Sequence, residues 1–587
     1  MKKILLSALG GIVLSCAAFG AVKPDAVAED AMNYRFTVCG TPIVFADHKI
    51  DWNANPTYNN YCEWPWQFAR HWFLRNLADY YAASGDERAA RTWVDIVTSF
   101  IDGAPPPPKG TVCWATKSWR TLDTGLRASV WAGSYPKVEK SPAVTAAFKE
   151  KFFTSVRAHA RRLQPSLATG NWRLMELHGL LDFAFAFPQL PEAAGWRQQA
   201  ERELAAQLAR QVYPDGFQFE LTSGYHGIIH ETYYPLCKRY RELGLDVPVG
   251  FTNNLEKAYG LYVKLTRPDG HLPALNDGGY TAIAGILKCA YELFPHRKDF
   301  LWGATHGKEG QPPDYVSLAL PYSGAVVFRS SWQPDAVWGY VDMSPWGYGH
   351  QHEDKLNFVL FAYGKSLLAE GGTFHYDSSP MRRYVLSTRS HNTIRIDGQD
   401  QCARASWRWR PAMLNEKAPL SFSTTAARDM AKASFDLGYG SVRKLDRSVS
   451  HTRTVEFIKD APEGPYFRIT DELVSADARE HAYEQLWHLE DCTFTMDKRA
   501  FAGDFGGVTL KAAFTCEGTD GKLIDQIGQE NPYQGWLPHG SQATRVHRAI
   551  HTPTLVGTFK GRAKIVTEFR PARNRSCAST APEEKGR

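Results

Sequence analysis

Near residue 320 the hydrophobic period of this chain changes from that of a helix to that of a strand, and few folds accommodate such a change. Upstream, residues 64–85 (WPWQFARHWFLRNLADYYAASG) place apolar side chains three and four apart and stop at Gly85. Residues 87–101 predict a second helix, halted by the proline run at 105–108. Further helical stretches are expected at roughly 116–132, 143–163, 172–187, 194–212, 227–243, 252–265 and 280–293. Helix after helix, joined by Pro/Gly loops and lacking a repeat of fixed period, suggests pairs arranged as a solenoid or toroid. Residues 22–60 are polar, rich in Pro and Asn, and read as irregular. Downstream, SGAVVFRSSW, AVWGYVDM, LNFVLFAYG, NTIRIDG, RTVEFIKD, YFRITDELV, YEQLWHLE and VTLKAAF alternate, with turn residues between them, as an antiparallel β-sandwich does. The polar tail from Arg570 is expected to be loose. The fold class is therefore multidomain α + β, with a helical domain at 22–318 and an antiparallel β-sandwich at 319–587.

Residues 1–21 read as a secretory signal peptide: Lys2 and Lys3, an apolar middle, then the small-x-small pattern Ala18-Phe19-Gly20. Export to the periplasm or the medium is expected, with lipid anchoring through Cys16 as the weaker alternative. No later stretch predicts a membrane span. Without Lys2 and Lys3 the 68 basic residues become 66, against 62 acidic ones, a balance too even to announce nucleic acid or any polyanion by itself. Ten cysteines without CxxC spacing permit disulfides in an exported protein but argue against a cysteine metal cluster. The 18 Trp, 26 Tyr and 31 Phe supply a core, and they also suit sugar-binding clefts, which use flat aromatic faces.

The chemistry-bearing residues concentrate in three stretches. In residues 346–397, His350 and His352 are spaced H-x-H and would share a strand face if extended. A strand over 356–361, a turn at Gly364-Lys365 and a return over 366–370 would lead to Glu370, and His391 opens another strand-like run. If three neighbouring strands bring His352, Glu370 and His391 together, two imidazoles and a carboxylate suit zinc. In ATGNWRLMELHGL (168–180), Asn171 is a reasonable helix N-cap, while Arg173 and Glu176 fit a solvated face equally well. In YPDGFQFELTSGYHGIIHETYY (213–234), a helix is expected to begin near Tyr225, and the helix-compatible spacing of Tyr225, His226 and His230 allows one face to present both a phenol and an imidazole.

Taken together, WPWQFARHWFLRNLADYY, SWRTLDTGLRASVW, GNWRLMELHG, YPDGFQFELTSGYH and GHQHEDKLNFVLFAYGKSLLAEGGTFHYD with STRSHNTIRIDGQDQ resemble the heparinase II/III superfamily of polysaccharide lyases, nearest in motif to its heparan-sulfate lyases. The resemblance implies an incomplete (α/α) toroid followed by an antiparallel β-sandwich, acting on an acidic polysaccharide by β-elimination at a uronic acid. The C5 proton is α to a carboxylate, so a group that neutralises the carboxylate eases its removal, and an acid then protonates the leaving oxygen. Carried over by motif, Asn171 would neutralise the uronate, Tyr225 would be the acid and also a base, and His350 the second base. Arg173, Glu176, His226 and Arg120 would contact substrate, with Arg127 a further candidate for sulfate. His352, Glu370 and His391 would hold a structural divalent metal, zinc ahead of calcium, with no organic cofactor. Trp172 stands where many relatives have histidine, and Glu370 where many have aspartate.

Heparan sulfate-like glycosaminoglycan is the expected substrate, and alginate or another uronate polymer the alternative. Two rival classes remain at this level: a toroid glycoside hydrolase using two of Glu176, Glu220 and Glu231, and a non-catalytic glycan-binding protein. The chain is expected to be a monomer or dimer.

Overall fold

The computed structural model describes residues 24–406, 408–539 and 546–574. The expected signal peptide, with Cys16, lies outside them. Among the described residues no helix is long and apolar enough to cross a membrane, and eight cysteines are free.

The N-terminal part is helical to Ala304, and from Leu318 antiparallel strands take over. The expected helices are present with shifted ends, for example Glu87–Gly103, Thr121–Val138 and Ala146–Leu163. The first long one is broken into Glu63–Phe68 and Phe73–Ser84, where His71 adopts a left-handed φ of 62° that a continuous helix excludes. Residues 22–60, read as irregular, contain the helix Ala26–Met32 and a hairpin pairing Arg35–Val38 with Thr41–Val44. Packing groups the chain into two compact units, Met1–Leu167 with Gly179–Arg197, and Ala168–His178 with Gln198–Arg587.

The first unit is centred on buried Trp64, Trp93, Trp119 and Trp131. Arg127 is fully buried among them and donates to His159 Nε2 (2.9 Å) and to the carbonyls of Ala69 and Ser118 (2.7 and 2.9 Å). Burial lowers its pKa to about 9 despite the charge of Asp123. Arg120 is also buried, pairs with Asp123 at 2.7 Å and lies 3.5 Å from the Trp66 ring centroid. Both arginines, expected as substrate contacts, are struts of the helical packing.

The second unit holds three larger sheets, all antiparallel. The eight-stranded sheet has at its centre Arg562–Arg573, Tyr466–Ser475 and Val449–Ile458. Along Val449–Ile458 every second residue is buried, the signature of a sheet with one face inward. That face meets the strands Ala325–Arg329, Trp338–Asp342 and Phe358–Ala362, in which every residue is buried. Phe358, Phe457, Phe467, Trp487 and Phe569 fill the space between, with Phe467 at 4.7–5.0 Å from Phe457 and Phe358. Each such ring contributes about 1.5–3 kcal/mol by leaving water. The last strand runs on to Arg573, so the first residues of the tail expected to be loose are held by pairing with Val508–Glu517, and the rest of that tail, 575–587, lies outside the described residues.

Buried polar groups tie this core to the loops above it. Arg453, paired with Asp471 at 2.7 Å, donates to the carbonyls of Leu356 and Asn392 (both 2.6 Å). The Asn392 amide donates in turn to the carbonyls of Phe358 and Ala369 at 2.8 Å, and its backbone N–H to Asn357 Oδ1. The hairpin turn falls at Tyr363-Gly364, both with positive φ, one residue earlier than the sequence suggested.

Candidate active site and metal centre

The site lies within the second unit and is assembled from four segments. The first is the start of the helix Asn171–Ala186; the second is the turn before the helix Ser223–Glu242. Residues 273–279 and the loops at 346–357 and 369–391 complete it. Thr222 caps the second helix, its hydroxyl accepting from the backbone N–H of Tyr225 at 3.0 Å, which fixes where the tyrosine leaves the helix. Asn276, at φ 51°, crosslinks the loops: its amide donates to the Leu221 carbonyl (2.9 Å), and its Oδ1 accepts from the backbone N–H of His352 (2.8 Å). Gly278 is required beside it, because a Cβ there would lie 2.0 Å from Ser223 Oγ.

His350 and His352 do not share a strand face. His350 has φ 58°, which reverses the chain between them. What they share is Asp277: His350 Nδ1 lies 3.0 Å from Oδ2, and His352 Nε2 3.1 Å from Oδ1. Arg382 closes the cluster with two bonds to the same carboxylate, at 2.5 and 2.9 Å. Burial alone would raise the Asp277 pKa, but these three partners hold it well below the usual carboxylate range. An ionised Asp277 accepts the Nδ1–H of His350, so Nε2 is the ring nitrogen left to face the site.

The His350 ring stacks on Tyr225, centroids 3.6 Å apart and planes at 17°. The Tyr225 hydroxyl meets that of Tyr376 at 2.9 Å, and Tyr376 Oη lies 3.3 Å from His350 Nδ1. Burial, with Asp277 and Tyr225 nearby, raises the Tyr376 pKa, so Tyr376 keeps its proton and can donate to Tyr225. Asn171 is the first residue of its helix rather than its cap, and its amide donates to both oxygens of Glu220, at 3.0 and 3.3 Å. Next to it Tyr348, 38% exposed, stacks on Phe219 at 4.4 Å with Trp409 edge-on to both, an aromatic wall beside the polar cluster.

Tyr225, His226 and His230 all lie on the helix Ser223–Glu242, but His230 Nδ1 engages the Tyr259 hydroxyl at 2.8 Å and His226 is turned into the core. His226 is fully buried, accepts from the Gln218 N–H at 3.3 Å, faces the Ala258 carbonyl at 3.0 Å, and has its pKa lowered to about 4 by burial. The imidazole beside Tyr225 comes from His350 instead. Arg173 and Glu176, expected to reach substrate, are fully buried and paired at 2.9 Å, with Glu203 also on Arg173. These three side chains pack the unit rather than line the site. Sequence reading missed Asp277, Tyr376 and Arg382 in this role; the turn-rich LNDGG and the GGTFHYD segment were the only signals.

His352, Glu370 and His391 do converge, although on loops and separate sheets rather than three neighbouring strands, since Ile394–Ile396 pairs with Glu480–Leu486. One ligand atom from each lies within 4.8 Å of the others, and all three residues are buried. Their outer contacts choose which atoms face inward: His352 Nε2 engages Asp277, His391 Nε2 the Val385 carbonyl (3.1 Å), and Glu370 Oε2 the Asn357 amide. The atoms left, His352 Nδ1, His391 Nδ1 and Glu370 Oε1, are the buried ones without hydrogen-bond partners. His391 Nδ1 and Glu370 Oε1 are 2.8 Å apart but lack hydrogen-bond directionality. A buried His352 Nδ1 without a hydrogen-bond partner beside this close His391–Glu370 pair, all within 4.8 Å, fits a metal ion.

Two family models match this chain: one described as Heparinase II/III N-terminus over residues 20–302, the other as Heparinase II/III-like, C-terminal over residues 312–549. The chain is 30% identical over 364 residues to the heparin-sulfate lyase of Pedobacter heparinus, covering 60% of this chain and 54% of that protein. It is 28% identical over 391 residues to the heparin-sulfate lyase of Bacteroides stercoris, covering 62% and 58%. The match thus spans little more than half the length of these curated relatives. Among solved structures, heparinase III superposes with a TM-score of 0.79 at 18% identity over 97% of this chain and 88% of that one. A heparan sulfate lyase mutant from Pedobacter heparinus gives 0.68 at 22%, over 93% and 82%. Those likenesses show a common fold of N-terminal helices and C-terminal antiparallel sheets. With its helical part and its strand part each matched by the corresponding model, the chain belongs to the heparinase II/III family.

Proposed function

We propose that this protein is a polysaccharide lyase that cleaves a uronate-containing polymer, heparan sulfate-like glycosaminoglycan first, by β-elimination. The observation that carries the reading is the Tyr225–His350 stack beside the Asn171 amide. It offers a phenol and an imidazole for proton transfer, with an amide donor for a carboxylate. Asn171 donates to the uronate carboxylate as charge builds on it. His350, its Nδ1–H held by Asp277, takes the C5 proton at Nε2, or Tyr225 takes it as phenolate where that proton lies on its side and passes the same proton on to the leaving oxygen. Tyr225 gives its proton to the leaving oxygen, and Tyr376 donates a hydrogen bond to the phenolate left behind. The names of the two heparin-sulfate lyase relatives support this substrate class. The hydrolase reading loses ground because Glu176 is tied to Arg173 and Glu220 to Asn171. The test is product mass: elimination fragments add up to the starting oligosaccharide, whereas hydrolysis adds one water per cut. A gain of water overturns the reading.

We further propose zinc at His352, Glu370 and His391, since two imidazoles and a carboxylate are a zinc-type set. When bound, the ion would supply a rigid brace. The chain's own part is to hold the loop bearing His350 through His352 and Asp277. Purified protein is expected to carry about one ion per chain by elemental analysis, and His391→Ala to lose it, with a lowered Tm. A metal-free wild-type protein with unchanged Tm would count against this site.

A further inference from the structure

Glu220 is 1% exposed, and the proposed chemistry has no use for an ionised carboxylate where a uronate is to bind. Its oxygens receive the Asn171 amide, and Gln218 Nε2 adds a bond of 3.4 Å to Oε1. His350 Nε2 stands 3.8 Å from Oε2, and Gln351, next in the chain, donates to the Glu220 carbonyl. The titratable groups facing this carboxyl are thus His350, with Asp277 behind it. Because Glu220 can only accept when ionised, it turns the NH2 end of Asn171 toward itself, leaving the second N–H of that group for a ligand. A uronate on that N–H becomes the second carboxylate on a single amide nitrogen. Two carboxylates sharing one site in low dielectric do not both stay ionised.

We propose that Glu220 is a positioning residue that aims the Asn171 amide at the uronate and takes up a proton from solvent as the uronate binds. The proton leaves again when product departs, so the cycle balances. The inference rests on the lyase reading above. Burial already raises the Glu220 pKa in the free protein, in the direction that uptake requires.

Glutamine copies the size and neutral charge of the protonated acid, and its carbonyl still accepts from Asn171, so Glu220→Gln isolates the titration from the positioning. The experiment is calorimetry with a heparan sulfate tetrasaccharide on the Tyr225→Phe background, in buffers of different ionisation enthalpy across pH 6–9, with and without Glu220→Gln. The Glu220 protein is expected to take up a proton on binding, up to one per site, and to lose affinity as pH rises; Glu220→Gln should show neither while binding as well at pH 6. In otherwise wild-type enzyme, Glu220→Gln should lose the alkaline fall in kcat/KM. Equal uptake in both proteins, or an alkaline fall in kcat/KM that persists in Glu220→Gln, overturns the role given to Glu220 and leaves the lyase reading standing. No binding and no cleavage by any form overturns the lyase reading, and this proposal with it.

Discussion

Tyr225→Phe is expected to lower turnover by about 10²–10⁴-fold, the usual contribution of a positioned acid or base. The substitution removes one oxygen and nothing else. The ring still stacks on His350, and the lost hydroxyl contact with Tyr376 is worth about 1 kcal/mol. Fold, Tm and polysaccharide binding should therefore change little while product formation nearly stops. Steady-state kinetics beside thermal unfolding separates the two effects. Turnover near that of the wild type would remove Tyr225 from the reaction, and a large drop in Tm would make it structural.

The second large effect is expected at Asp277. Asp277→Ala strips Arg382, 8% exposed, of both its carboxylate bonds, and takes the acceptor from His350 and His352 together. Breaking a buried ion pair from one side costs about 3–5 kcal/mol, because the other charge stays behind. Denaturant unfolding should show a loss of that size. Asp277→Asn restores the shape and one carbonyl but cannot accept from both histidines and the arginine as a carboxylate does. It should unfold closer to the wild type and still turn over slowly, since the tautomer of His350 is no longer fixed. An Asp277→Ala protein within 1 kcal/mol of the wild type would mean that this carboxylate does not organise the two histidines.

The change of period near residue 320 made the order of helices and strands legible, because burial on one face of an element leaves a periodic trace. The metal-ligating trio was legible as residue types, yet the geometry offered for it was wrong. A left-handed residue at His350 and the placement of Ile394–Ile396 in a different sheet are tertiary facts without a periodic signature. Arg120, Arg173 and Glu176 read as surface or substrate-facing because charge on a helix is usually solvated. Here each finds a partner of opposite sign inside the protein. Asp277 sits in a run of turn residues whose local chemistry predicts only a loop. Its three partners lie 73 to 105 residues further along the chain, beyond what any sequence window connects. Glu220 was visible as a carboxylate, but its amide partner was not.

Elimination leaves an unsaturated uronate, whose conjugated double bond absorbs in the ultraviolet where the intact polymers do not. The protein would be incubated with heparan sulfate, heparin, hyaluronan, chondroitin sulfate and alginate while that absorbance is followed. A steady rise with heparan sulfate, absent in Tyr225→Phe, is the predicted result. Shortening of any of these chains without a rise in absorbance would contradict it.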